Sequence, residues 1–265
     1  DIASAIIERI PNLTELTFAT NGFFSEKIIS NIHEILDMAG LDVYVKVSID
    51  GLESKHDKIR GKGTFSKAMS TLEGLRKLKE KGHNLSVSIG FTVVDENIEN
   101  IWEVYDKFKD EYDFFFKPAQ TFPIGELPIS EDTRRTLIEF TSLFLEREFK
   151  KKASVWQSSR KLYFKYLLDF LRHPNVRPVP CSASFSFLSI LPDGNVYACS
   201  VSGLKLGNVR EKPIDEIWYS PISFDIRKKI KGGDCTCCTA CDLGPSILTC
   251  RWYKVMFNYI TGALK

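Results

Sequence analysis

The first 180 residues contain no cysteine, and the segment that holds all seven, Cys181 to Cys250, contains no histidine. A metal held in that tail would meet thiolate sulfur only, which disfavours hard, oxygen-seeking ions and favours zinc or iron–sulfur. An excess of either charge is also missing. The 36 Lys and Arg against 34 Asp and Glu leave a net +2 with both signs interspersed, so there is no basic field for nucleic acid and no such partner is expected. No apolar run approaches a membrane span, and nothing at the start resembles a signal peptide. Thiolate ligands imply a reducing compartment, hence the cytoplasm. The chain does not open on Met: Asp1 leads directly into a helical pattern of Ile2, Ile6, Ile7 and Ile10, with no strand before it.

What is present is a crowded tail. Cys181 precedes a strand-like run from Phe185 to Leu191, a Pro192-Asp193-Gly194 turn, and a second run from Asn195 to Ser200 that contains Cys199. Cys235, Cys237, Cys238 and Cys241 then fall within seven residues, and Cys250 follows. Disulfides suit short secreted scaffolds, whereas here an odd number of cysteines sits at one end of a chain large enough for an ordinary core. A zinc ribbon needs two close Cys-x-x-Cys pairs, and Cys235–Cys238 is one such pair while Cys181 and Cys199 are far apart. An iron–sulfur cluster fits best, because its thiolates can come from distant points if a hairpin brings two of them beside a close pair. The Pro-Asp-Gly turn has the chemistry for that hairpin.

Ahead of the tail, strands and helices alternate. Leu13 to Ala19 reads as a buried strand closed by Thr20-Asn21-Gly22, and a helix follows with Ile28, Ile32, Ile35 and Leu36 on one face. The next strand sets Val43, Val45, Val47 and Ile49 against Tyr44, Lys46, Ser48 and Asp50. Gly51 to Gly63 reads as a charged loop, and Phe65 to Lys81 as a helix stopped by Gly82. Leu85 to Val93 is a strand with one apolar face and one face of Ser86, Ser88, Gly90 and Thr92. Asp95 is the expected cap of a helix through Phe108, and Asp113 to Lys117 is a fourth strand. Four strand–helix units argue a parallel sheet with helices outside, with chemistry at the carboxyl ends of the strands. Small and polar residues on one face suggest the inside of an open half-barrel with room for a ligand. Two further helices are expected at Ser130 to Lys152, capped by Ser130, and at Ser158 to Arg172. The Pro-rich stretch from His173 to Pro180 is the expected boundary, dividing the chain into 1–175 and 176–265.

Three stretches together resemble the radical SAM superfamily, specifically its enzymes with a C-terminal SPASM or twitch domain. They are Thr20-Asn21-Gly22 after a strand; Val47-Ser48-Ile49-Asp50-Gly51 followed by His56-Asp57-Lys58-Ile59-Arg60-Gly61-Lys62-Gly63-Thr64-Phe65; and the tail, in which Cys181, Gly194 and Cys199 precede Gly207-Asn208-Val209, Glu216-Ile217-Trp218 and the Cys235-x-x-Cys238 knot. The order and spacing, more than any one stretch, carry the likeness, and it covers nearly the whole chain.

The resemblance implies an α/β fold: an incomplete (β/α)6 partial barrel, its last four βα units visible, followed by a small Cys-rich α+β domain with a β-hairpin. It implies S-adenosylmethionine as cofactor, with Asn21, Ser48, Asp50, Arg60 and Thr92 binding it and Lys117 reaching towards substrate. It implies an auxiliary 4Fe–4S cluster on Cys181, Cys199, Cys235 and Cys238, with Cys241 as the substitute. Seven thiols cannot furnish two full sets, so one cluster is expected. The family's radical-generating 4Fe–4S cluster sits on a Cys-x-x-x-Cys-x-x-Cys loop that this sequence lacks, as it lacks the Gly-Gly-Glu segment for the methionine amino group. The expectation is therefore an N-terminally truncated piece, inactive alone, of an enzyme that modifies a peptide or small molecule with a reductant such as flavodoxin or ferredoxin. The rival expectation is a non-catalytic, Cys-rich scaffold, holding zinc or iron–sulfur, that recognises a peptide or protein partner.

Overall fold

The computed structural model describes residues 2–38, 40–121, 127–149, 155–233, 235–237 and 240–261, without the side chains of 156, 240–242, 258, 260 and 261. Its backbone contacts divide it into two units, Asp1–Pro118 and Ala119–Lys265. No helix among the described residues is long and apolar enough to cross a membrane.

The first unit runs α1 (Ile2–Arg9), β1 (Glu15–Thr20), α2 (Ser25–Met38), β2 (Asp42–Ser48), α3 (Glu53–Arg60), α4 (Thr64–Glu80), β3 (Leu85–Val93), α5 (Ile101–Phe108) and β4 (Asp113–Pro118). The four strands pair in parallel in sequence order. A period of two decides which face each residue joins. Val43, Val45 and Val47 of β2 and Ile49 just after it, with Val87, Ile89, Phe91 and Val93 of β3, are buried, where α4 packs on β2 and β3 and α5 on β3 and β4. The opposite face carries Tyr44, Lys46 and Ser48 beside Ser86, Ser88, Gly90 and Thr92, all half-buried. The alternation in the sequence thus separates a helix-covered face from an open one.

Two local expectations change. The charged stretch after Gly51 folds as helix α3, whose one buried residue is His56. With a single buried position, it shows no apolar period to read. Before α5, a 3-10 turn spans Ile98–Asn100 and has Asn97, not Asp95, at its N-cap position. The Asn97 side chain is drawn inward instead, where its Oδ1 accepts the Val94 N–H at 2.9 Å.

The second unit begins with α6 (Glu131–Glu148) and α7 (Val155–Arg172). Ser130 caps α6 as expected, accepting the Thr133 N–H at 3.2 Å. Phe140 stacks on Phe144 within α6, and the Phe144 ring meets Phe164 of α7 edge-to-face at 4.8 Å. A three-stranded antiparallel sheet follows: β5 (Ser189–Ile190), β6 (Asn195–Tyr197) and β7 (Lys205–Asn208). Strand structure starts later than the run from Phe185 suggests, because the Ser182 carbonyl accepts the N–H groups of both Phe185 and Ser186 and closes a turn there. Helices α8 (Ile214–Trp218), α9 (Pro221–Gly232), α10 (Ala240–Cys250) and α11 (Trp252–Thr261) complete the unit. Cys250 closes α10.

Candidate functional site

In a parallel sheet all strands end at the same edge, and here that edge gathers the predicted polar residues. Thr20 ends β1, Ser48 ends β2, and Thr92 and Lys117 are register partners near the ends of β3 and β4. Asp50, two residues past β2, is 3% exposed and anchors the group. Its Oδ2 accepts from Arg60 Nε at 2.6 Å, and its Oδ1 accepts the Thr92 backbone N–H at 2.8 Å. Asn97 donates to the carbonyls of Asp50 and Thr92, at 3.2 and 2.9 Å. The structure therefore brings Asp50, Arg60 and Thr92 into direct contact, with Asn97 spanning two of them. Ser48 stands apart from this cluster, half-buried on the open face opposite Gly90. Asn21 is exposed, and its Oδ1 takes the Phe23 N–H at 3.0 Å, folding the turn after β1.

Beneath this cluster lies a residue whose burial the sequence did not reveal. His56 is fully buried and accepts the Asp50 N–H on Nδ1 at 3.1 Å. An accepting Nδ1 requires a neutral ring protonated on Nε2, and that nitrogen is buried with no hydrogen-bond partner among the described residues. Burial, helped by the nearby Arg60 charge, pushes the His56 pKa below its usual range. Next to it, Asp57 accepts the Gly63 and Phe65 N–H groups at 2.6 and 2.8 Å. Those two N–H groups hold the Asp57 carboxyl below the usual carboxylate range. The His-Asp-x-x-Arg-Gly stretch is thus a brace: His56 and Arg60 fix Asp50, while Asp57 fixes the start of α4.

The open face has one filled position. Lys46 lies across Gly90, where a Cβ would come within 2.9 Å of the lysine Cγ. Its ammonium sits 3.8 Å from the centre of the Phe115 ring. Glycine in mid-strand is explained by this close approach. Serine and threonine occupy the neighbouring positions of β3, leaving a shallow polar floor.

In the tail, the hairpin forms about the predicted turn. Gly194 adopts φ +86°, and a Cβ there would meet Asn208 Oδ1 at 2.7 Å. Asn208 ties the ribbon together by donating to the Asp193 carbonyl and to Asn195 Oδ1, at 3.3 and 3.0 Å. Cys199 is buried in a core of Ala183, Val196, Ala198, Leu206, Ile217, Ile226 and Ile230, against which Cys181 and Cys235 also pack. Three of the four predicted ligands therefore share one core. Cys181, Cys235 and Cys250 additionally line a cavity of about 880 Å³. Cys238 lies outside the described residues, as does the side chain of Cys241.

This donor set fits an iron–sulfur cluster. It is sulfur only and largely sheltered by apolar side chains. A cubic cluster takes its thiolates at separate corners, and they can come from distant points of the chain.

A second unforeseen residue is Arg177, in the Pro-rich link. Its Nε donates to the Val179 carbonyl at 2.8 Å, while Nη1 donates to the Cys237 carbonyl and approaches Cys237 Sγ at 3.8 Å. Its Nη2 reaches Ser246 Oγ at 3.4 Å, and Ser246 in turn accepts the Ser182 N–H at 3.1 Å. One guanidinium thus joins the link, the cysteine knot and α10. An arginine among prolines carries no periodic signal, so only the fold exposes this role.

Comparison with known proteins matches residues 181–242 to the SPASM family, an iron–sulfur cluster-binding domain. The chain is 25% identical over 211 residues to the sporulation killing factor maturation protein SkfB of Bacillus subtilis, covering 77% of this chain and 46% of that protein. It is 28% identical over 200 residues to the Fe-coproporphyrin III synthase of Methanosarcina barkeri, covering 66% and 48% respectively. It thus spans about half the length of these relatives. Among solved structures, native anSMEcpe with bound AdoMet shares the fold at TM-score 0.56 and 16% identity, over 96% of this chain and 74% of that one. The form with AdoMet and the Kp18Cys peptide matches at TM-score 0.55 and 17% identity, over 96% and 75%. With a thiol-bearing core inside the SPASM match and a parallel α/β sheet before it, the chain carries an iron–sulfur cluster-binding SPASM segment and is similar to radical SAM enzymes, whose cofactors are S-adenosylmethionine and iron–sulfur clusters.

Proposed function

We propose that this chain is part of a radical SAM enzyme that modifies a peptide or small-molecule substrate, with one auxiliary 4Fe–4S cluster in its tail. The observation that carries the reading is the packing of Cys181, Cys199 and Cys235 on one core within the segment that matches an iron–sulfur domain. Cys238 is the fourth ligand, with Cys241 as its substitute. The bound clusters and S-adenosylmethionine supply the redox and radical chemistry; the chain supplies their housing.

The four parallel strands are read as the last four of a partial (β/α)6 barrel, with the face of Lys46, Ser48, Ser88 and Gly90 turned inward. The division at 175/176 separates that barrel and its following helices from the auxiliary domain. Asn21, Ser48, Arg60 and Thr92 are the cofactor-side residues at the carboxyl edge. Asp50 belongs to the same set, its carboxylate oriented by Arg60 and the Thr92 backbone. Lys117 offers a cation to substrate. A peptide substrate gains support from the relative named for maturation of a killing factor and from the solved neighbour that holds a peptide. The 265 residues lack the Cys-x-x-x-Cys-x-x-Cys loop, so on their own they should not generate the radical. A flavodoxin or ferredoxin is the reductant this chemistry calls for, and the thiolate ligands call for a reducing compartment such as the cytoplasm.

Metal analysis of anaerobically purified protein tests the reading. One cluster gives a brown protein with about four iron atoms per chain. A colourless protein that holds one zinc and no iron after anaerobic reconstitution would overturn it.

A further inference from the structure

The four histidines play no part in the cysteine site, yet two of them meet on the first unit. His33 and Asp37 are four residues apart on α2, a spacing that stacks side chains on one helix face. His33 Nδ1 lies 3.5 Å from Asp37 Oδ2. His83 arrives from the turn after α4, where its carbonyl accepts the Leu85 N–H at 2.7 Å and so opens β3. The two imidazoles stand edge-to-face with centroids 5.5 Å apart. One ligand atom from each of His33, Asp37 and His83 falls within 4.8 Å of the other two, the sole such grouping among the described residues.

From this geometry we infer a divalent transition-metal site of the zinc class at His33, Asp37 and His83, separate from the thiol site. Two imidazoles and a carboxylate form a mixed nitrogen and oxygen set that suits zinc and leaves a fourth position for water. Tetrahedral zinc with bonds of about 2.1 Å holds its ligand atoms roughly 3.4 Å apart, against the 4.8 Å within which these atoms lie, so the three side chains need close by at most about 1.4 Å. His33 is 43% and Asp37 57% exposed at the side chain, which leaves them room to rotate. The helices that carry the site, α2 and α4, already pack together. Bound metal would fasten the end of α2 to the entry of β3 on the helix-covered side of the sheet. The inference does not rest on the proposed function.

The test compares wild-type protein with the His33→Ala/His83→Ala double variant and with Asp37→Asn, all purified anaerobically and dialysed to equilibrium against zinc chloride. The expected result is one more zinc per chain in the wild type than in the double variant, with iron content and circular dichroism alike in all three. Zinc-edge X-ray absorption should give that extra zinc a nitrogen and oxygen shell near 2.0–2.1 Å, rather than sulfur near 2.3 Å. In Asp37→Asn the affinity should fall by more than the roughly 10–100-fold that loss of an outer-sphere partner costs. Equal zinc in wild type and double variant, or an extra zinc with a sulfur shell, overturns the site.

Discussion

Arg60 donates to Asp50 Oδ2 at 2.6 Å while the other oxygen of that carboxylate holds the Thr92 backbone at 2.8 Å. One buried aspartate therefore ties the end of β2 to α3 and to the neighbouring strand β3. The carboxylate side chain is 5% exposed and the guanidinium 26%, so the carboxylate is the member sealed from water.

Removing one member of such a pair leaves a poorly solvated charge. Asp50→Asn should cost about 3 kcal/mol in urea unfolding. Asp50→Asn combined with Arg60→Met should lose clearly less than the sum of the two single changes. Strict additivity would show that the pair is not coupled.

His56 makes stability depend on pH. Its folded pKa is lowered by burial, so below its unfolded pKa near 6.5 the unfolded chain binds a proton that the folded ring refuses. Stability is complete above that range and falls as pH drops through it, levelling once the folded ring also protonates. His56→Asn keeps an acceptor for the Asp50 N–H and should flatten this dependence. His56→Leu should flatten it too and additionally lose about 1–3 kcal/mol for the unpaired N–H. Tm measured across pH 5 to 8 distinguishes the three proteins.

Serine replacements should sort the cysteines. Cys181→Ser, Cys199→Ser and Cys235→Ser should each lower iron content and visible absorption after anaerobic reconstitution. Cys250→Ser should keep both, although Cys250 lines the same cavity as Cys181 and Cys235. Iron loss in Cys250→Ser with retention in Cys199→Ser would reverse the ligand assignment.

Arg177→Met removes the contacts that join the link to the Cys237 carbonyl and Ser246. Chelator challenge should strip iron from this variant faster than from wild type, with the starting iron content similar. An unchanged rate would confine Arg177 to a surface role.

Gly194→Ala places a side chain at φ +86° and against Asn208. The expected cost is more than about 1 kcal/mol, and because the hairpin carries Cys199, iron retention should fall with it. The same change at Gly233, also left-handed at φ +92° but with nothing near its Cβ, should leave iron in place.

Much of the architecture was legible because it follows from short-range rules. The alternation in Val43–Ile49 and Leu85–Val93 predicted both strands and both faces, and Ser130 predicted the start of α6. Helix α3 was not legible. Its helical state is supported by Asp57 and by the burial of a single histidine, and neither leaves an apolar repeat. The Pro192-Asp193-Gly194 turn was readable from residue chemistry, but the Asn208 that fastens it lies in another strand and reads as an ordinary polar residue.

Sequence by itself determined the strand–helix alternation, the sulfur-only character of the tail and the motifs that carry the resemblance to radical SAM enzymes, since these depend on residue type and spacing. Tertiary structure decided what each polar group is occupied with. Asp50 reads as a ligand along the chain, and the fold supplies its buried carboxylate with partners in Arg60 and the Thr92 backbone, because a buried carboxylate must be hydrogen-bonded. His33, Asp37 and His83 read as unrelated residues and prove to be neighbours, because packing of α2 against α4 brings together positions that are fifty residues apart.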